Sequence, residues 1–213
     1  MTMRYPQPTN PKDAAGSGMR HDAPSPALVE AISLSAEVCG LALSPAAAEM
    51  LAKDLADFDE RLVIAALARC RMELRGTLRL PDILARIEDG RPSVEEAWAM
   101  MPKSELASVV WTDEMAYAWG VASPMLAKDD IVGARHAFRE AYAKAVLDAR
   151  IQREPVRWVP SLGSDVASRE SVLLEAVEKR RLTPAHLEKL LPSGPVSPEM
   201  QEVFAKLKIK NLH

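Results

Sequence analysis

Aromatic residues are scarce. Three Phe, three Tyr and four Trp make up 5% of the 213 residues, too few for rows of exposed rings that stack nucleic-acid bases. Cysteine is rarer still. Cys39 and Cys70 are too few and too far apart for a zinc framework, and a secreted disulfide scaffold needs more. Both fall in helical patterns and read as small core residues. Charge of one sign is also lacking: 27 Lys and Arg stand against 30 Asp and Glu, a net of −3. That excludes a basic field over the whole protein but leaves room for a local patch. No apolar run approaches the roughly 20 residues of a membrane span. The opening segment MTMRYPQPTNPKDAAGSGMRHDAPSP lacks the apolar core of a signal peptide. A cytoplasmic protein without a membrane partner is expected.

Recognisable reaction motifs are missing too. His21, His136, His186 and His213 have no Cys or His at the i+3 or i+4 spacing of a metal-ligand pair. Asp129 and Asp130 are adjacent carboxylates, but they stand where a helix begins, and capping accounts for them. "SLGSD" (161–165) has neither the lysine and glycine spacing of a phosphate loop nor the G-x-S-x-G of a nucleophile elbow. No polar residue falls at an expected core position, so an enzyme with a dispersed site ranks last among the readings. No cofactor is expected.

What is present is alanine, leucine and helix punctuation. Alanine and leucine cost little in a helix. A first helix is expected over about 26–39, with Leu28, Val29, Ile32 and Leu34 as apolar positions and Gly40 ending it. Ser44 and Pro45 open a second, whose stripe is Met50, Leu51, Leu55 and Phe58. Asp59 caps a third, facing inward through Leu62, Val63, Ala66, Leu67, Cys70 and Leu74; Gly76 stops it. Leu78 to Leu80 reads as extended, and Pro81 starts the next helix with Ile83, Leu84 and Ile87 inside. Ser93 and Glu96 form a capping box. Thr112 caps "DEMAYAWG" and Ser123-Pro124 starts a separate short turn. The longest helix is expected over 129–152, packing through Ile131, Ala134, Phe138, Ala141, Ala145 and Ala149. "REPVRWVPSLGSD" reads as a loop pinned by Trp158 and Leu162. Helices over 166–180 and 184–191 follow.

The expected fold class is therefore all-α: a multi-helix bundle of short capped helices, with a disordered N-terminal arm and a C-terminal amphipathic helix. The chain divides into the arm (1–25), an N-terminal helical domain (26–102), a second helical region (103–192), and a linker with the amphipathic helix (193–213).

Two features point to binding. Arg71, Arg75 and Arg79 can line one side of the third helix and its exit, within reach of phosphate; a solvated helix face is the other reading. In the tail, Met200, Val203, Phe204 and Leu207 stand at i, i+3, i+4 and i+7, the anchor spacing of a helix laid in a groove. Four buried anchors gain roughly 6–12 kcal/mol. Ordering the backbone costs about 1–2 kcal/mol per residue, so the tail needs either its own domain or a partner to dock on.

The run from Ser44 to Ile87 resembles the N-terminal helical domain of the phage replicative-helicase loader and inhibitor proteins. The resemblance lies in an acidic-aromatic turn, "LADFDERLV" (55–63), an alanine-rich helix, "IAALARCRMEL" (64–74), and an extended leader into a proline-started helix, "LRLPDILARI" (78–87). It is carried by Leu55, Phe58, Val63, Ala66, Leu80, Pro81 and Ile83, all structural positions. It covers about a fifth of the chain. The loaders engage the helicase through a flexible C-terminal region, whereas residues 103–192 here read as folded. The resemblance implies a non-catalytic adaptor that binds a hexameric replicative helicase or another replication protein and delivers the ring to single-stranded DNA without hydrolysing nucleotide. The alternative reading is a small helical DNA-binding regulator.

Overall fold

The computed structural model describes residues 24–102, 104 and 106–190. Most of the arm over 1–25, and the tail with Met200, Val203, Phe204 and Leu207, lie outside the described residues. The described residues are mostly helical, with one two-stranded sheet among them, which places the chain in the expected all-α class.

The punctuation works as the residue types dictate. Helix α1 (Pro26–Val38) starts at Ser25, whose hydroxyl accepts from the Leu28 N–H at 3.0 Å. It ends at Gly40, held at φ +81, a conformation that favours glycine. Helix α2 (Pro45–Asp54) is capped by Ser44, and α3 (Glu60–Glu73) by Asp59. The Arg61 side chain, bonded to Asp59, holds that carboxyl down to about 2. A short α4 (Leu80–Leu84) begins one residue ahead of Pro81, with Asp82 accepting from the Arg79 N–H. In α5 (Val94–Ala99), Ser93 and Glu96 satisfy each other's backbone N–H groups.

These elements bury three clusters. The first joins α1 to α4 through Ile32, Ala52, Leu55, Leu67, Cys70 and Ile83. The inward faces differ in places from the sequence expectation: Leu34 and Met50 are exposed, while Ala48 and Ala52 are fully buried. Alanine permits close helix approach, so the small residues won the contact and the long ones took the surface.

The second cluster holds α5, α6 (Asp113–Leu126) and α7 (Ile131–Ile151). Two expectations fail here. Pro124 does not open a new turn; α6 continues through it to Leu126. Proline's missing N–H and ring clash fall in the last turn, and the affected i−4 residue is Gly120, exposed and open. The buried face of α7 is Ala134, Phe138, Tyr142, Val146 and Ala149, not the Ala141–Ala145 line, and Ile131 is exposed. An alanine-rich helix offers several nearly apolar faces, and the largest side chains decided which one turned inward.

Strand β1 (Val109–Thr112) pairs antiparallel with β2 (Trp158–Ser161), Val109 opposite Ser161 and Thr112 opposite Trp158. So part of the expected loop over 153–165 is a strand. The pair ties the start of α6 to the chain leaving α7. "SLGSD" has a packing role: a Cβ on Gly163 would sit 2.0 Å from the Leu106 carbonyl oxygen. Its N–H donates to Ser108 Oγ at 3.1 Å. Helices α8 (Val166–Glu178) and α9 (Pro184–Leu190) build the third cluster with Val110. No helix among the described residues is long and apolar enough to cross a membrane.

Candidate functional site

The segment between α4 and α5 carries Asp89 and Arg91 into the seam between the first and second clusters. There Asp89 accepts from Arg150 Nη2 at 2.9 Å and Nε at 3.1 Å, and from Arg91 Nη1 at 2.6 Å. Arg91 Nε donates to Glu114 Oε1 at 2.8 Å. Arg150 Nη1 donates to the Leu84 and Ala85 carbonyls, satisfying the end of α4. Arg91, Glu114 and Arg150 are all buried. Burial pushes the Asp89 carboxyl up, but the bonded Arg150 and the nearby Arg91 charge outweigh it and hold the group below the usual carboxylate range. Burial pulls Arg91 down, and Glu114 with Asp89 more than restore it. Four charges, two of each sign, thus lock the seam. The expectation of no polar residue in the core is corrected here. The physical reason is pairing, which alone makes such burial tolerable.

Outside this lock the seam opens into a cavity of about 670 Å³. Its walls include Arg86 and Arg181 on one side and Ala143 and Leu147 of α7 on the other. Tyr142 also lines it, donating its hydroxyl to the Pro92 carbonyl at 2.8 Å. Burial, with the charge of Glu114, pushes the phenol well up, so it stays neutral. Further along α7 a second, mostly apolar cavity of about 360 Å³ is lined by Trp98, Phe138, Ile131 and Val132. Val94 lines both cavities, and α7 runs through both. The first lies beside Tyr142 to Arg150 of α7 and the second beside Ile131 to Arg139, and the Tyr142–Pro92 hydrogen bond and the Glu95 ion pairs cross from α7 to the segment 92–95.

An aromatic series links residues that line the two cavities. Trp98 meets Phe138 edge-on at 5.3 Å between ring centroids, and Phe138 stacks on Tyr142 at 5.7 Å. The rim of the second cavity is charged. Glu95 accepts from Arg135 at 2.5 Å and from Arg139 at 3.0 Å, so one carboxylate serves two guanidiniums. Those arginines hold Glu95 below the usual carboxylate range. At the first cavity Arg181 lies 4.4 Å over the Trp158 ring, with no carboxylate among the described residues within ion-pair distance. Burial lowers its pKa. Ile131 is 64% and Val132 83% exposed beside Trp98.

Of the residues singled out from the sequence, Arg71, Arg75 and Arg79 are all exposed near the end of α3. Arg71 is partly committed, donating to Ser35 Oγ at 2.7 Å across to α1. Asp130 caps α7 through the Gly133 N–H at 2.8 Å, as its position predicts. Cys70 is buried, and burial pushes its thiol up to about 11, leaving it protonated and inert. Among the described residues no group of three or more His, Cys, Asp or Glu gathers as a metal site. The cavities were invisible in the sequence because their lining comes from 69, 85–98, 131–150 and 181. The one local signal was Ile131-Val132, two large aliphatics directly after a helix cap. No family model, curated protein or solved structure matches the chain.

Proposed function

We propose that this chain is a non-catalytic adaptor, a replication accessory factor of the phage helicase-loader kind, and that it captures a protein partner at the apolar cavity beside Ile131 and Val132 of α7. The observation that carries the reading is the pair Ile131 and Val132, largely exposed against the open side of Trp98. Large aliphatic side chains held in solvent beside a shaped apolar cavity mark interaction sites rather than packing leftovers. The replication context comes from the resemblance over Ser44–Ile87. The adaptor would act by differential binding, holding one conformation of the helicase and releasing it later.

The test is co-purification of the full-length protein with a replicative helicase from its host, alongside Val132→Asp. Val132 contributes to no buried cluster, so the variant folds. Capture by the parent and loss in the variant are expected. Capture unchanged in Val132→Asp would refute this cavity as the docking site, and no helicase in either sample would refute the partner.

A second reading, the DNA-binding regulator, is favoured by one observation. Arg71, Arg75 and Arg79 are exposed, and no described carboxylate lies within ion-pair distance of them. A salt-dependent shift in DNA mobility, abolished by reversing these three charges, is its signature.

A further inference from the structure

Helix α6 differs from α3 and α7 in what it shows to water. The outward face of α3 carries Arg61, Arg69 and Arg71, and that of α7 carries Arg135, Arg139 and Glu140, as surface helices do. Between Glu114 and Lys128 of α6 there is no Asp, Glu, Lys, Arg or His, and Glu114 itself is buried. What α6 turns outward is Tyr117, Gly120, Val121, Pro124 and Met125, one face at helical spacing. Tyr117 is 60% and Val121 40% exposed. Neither they nor Met125 pack against any of the three buried clusters. A contiguous uncharged apolar face of this kind marks an interaction surface.

We infer that this face is covered by α6 of a second copy of the chain, in an antiparallel twofold pair. The dimer does not depend on the adaptor reading. Asp113, Tyr117, Gly120 and Pro124 fall on one line of the helix surface, with Val121 and Met125 beside it and Lys128 just past its end. A twofold axis crossing between Gly120 and Val121 sets Tyr117 against Pro124 of the second copy and Val121 against its Gly120, and each contact occurs twice. Gly120 supplies the dent: a Cβ there would meet nothing within 4 Å, so the helices approach closely enough to seat Val121.

The ends of the face name the occupant. At the start Asp113 accepts from Arg157 at 2.6 and 3.0 Å. At the finish stand Lys128 and Asp129, both exposed. Each end is one acid beside one base. The antiparallel register lays the first pair of one copy along the second pair of the other, so that Lys128 meets Asp113 and Asp129 meets Arg157, and it opposes the two helix dipoles. A parallel register sets like charges together, and a foreign apolar segment finds no charge on the face to fix its register. From Asp113 to Lys128 the face is about 22 Å long and about 10 Å wide. Two such faces fall short of the roughly 1,200 Å² that a stable complex buries, so the dimer is reversible and forms at protein concentrations on the order of 10–500 μM.

The test is sedimentation velocity of the full chain across that range, where a concentration-dependent dimer is expected. Tyr117→Glu puts an acid on the apolar face of each copy and should return the chain to monomer. Its circular dichroism should be unchanged, because Tyr117 supports no buried cluster. Lys128→Glu should weaken the dimer about 2- to 30-fold, the effect of two exposed ion pairs. Under oxidation Val121→Cys should yield a disulfide-linked dimer; the parent and Leu34→Cys, exposed on α1, should not. A monomer throughout the range overturns the inference. A dimer that persists in Tyr117→Glu places the contact elsewhere and overturns it too. A dimer that Lys128→Glu leaves unchanged or tightens refutes the antiparallel pair. An intramolecular disulfide in Val121→Cys with Phe204→Cys makes the chain's own tail the occupant, which also overturns the second copy.

Discussion

Replacing Arg150 by Met is the sharpest test of how the two main clusters are joined. Met keeps the stem that packs along the seam but removes the guanidinium. Two bonds to Asp89, at 2.9 and 3.1 Å, and two to the Leu84 and Ala85 carbonyls are lost. Asp89 keeps Arg91 as a partner, so the charge is not wholly abandoned. The carbonyls that end α4 have no substitute donor in Met. Breaking one half of a buried pair costs about 3–5 kcal/mol. For a chain of this length each kcal/mol moves the melting temperature by roughly 2–4 °C. The expected fall is therefore about 6–20 °C.

The assay is denaturant unfolding followed by circular dichroism, with a thermal scan beside it. Asp89→Leu combined with Arg150→Met should recover part of the loss, because an apolar pair carries no stranded charge; the coupling between the two sites should be about 1–3 kcal/mol. Because Arg150 ties α7 to the end of α4, the single variant should also separate the unfolding of the first cluster from that of the second. A loss under about 1 kcal/mol, the cost of a solvated pair, with one undivided transition, would refute the seam lock.

The same geometry sets three further outcomes. Asp89 has a folded pKa below its unfolded value, so its contribution is fully present above about pH 4 and is lost as pH falls through the folded value. Asp89→Asn should flatten that part of the acid limb, measured as the denaturation midpoint between neutral pH and pH about 3. Gly163→Ala drives a Cβ into the Leu106 carbonyl and should cost about 1–3 kcal/mol by overpacking, read by the same unfolding curve; a neutral result would mean the segment before β1 yields freely. Ser93→Ala removes the α5 cap hydroxyl, which accepts from the Glu96 N–H and donates to the Glu96 carboxylate, for a loss of about 1 kcal/mol in thermal unfolding.

The local rules were legible in the residues. Ser25, Ser44, Asp59, Ser93, Thr112 and Asp130 each sit where a short side-chain oxygen meets free N–H groups, and each caps a helix. Glycine at positive φ ends α1 at Gly40 for an equally local reason. Such features depend on a few neighbouring residues, so sequence determines them and with them the all-α class. Pro124 and the Trp158–Ser161 strand depart from the sequence expectation because their states depend on distant partners: the α7 face against which α6 packs, and β1 at 109–112.

What only the tertiary structure decided is which charges are buried and which apolar residues are left out. Nothing in the run around Arg150 distinguishes it from Arg135 or Arg139. One became a lock and the others a rim because Asp89 arrives from 61 positions away and Glu95 from 40 and 44. Burying a charge is tolerable only when its partner arrives with it, and that arrival is a property of the packed chain rather than of any stretch of it.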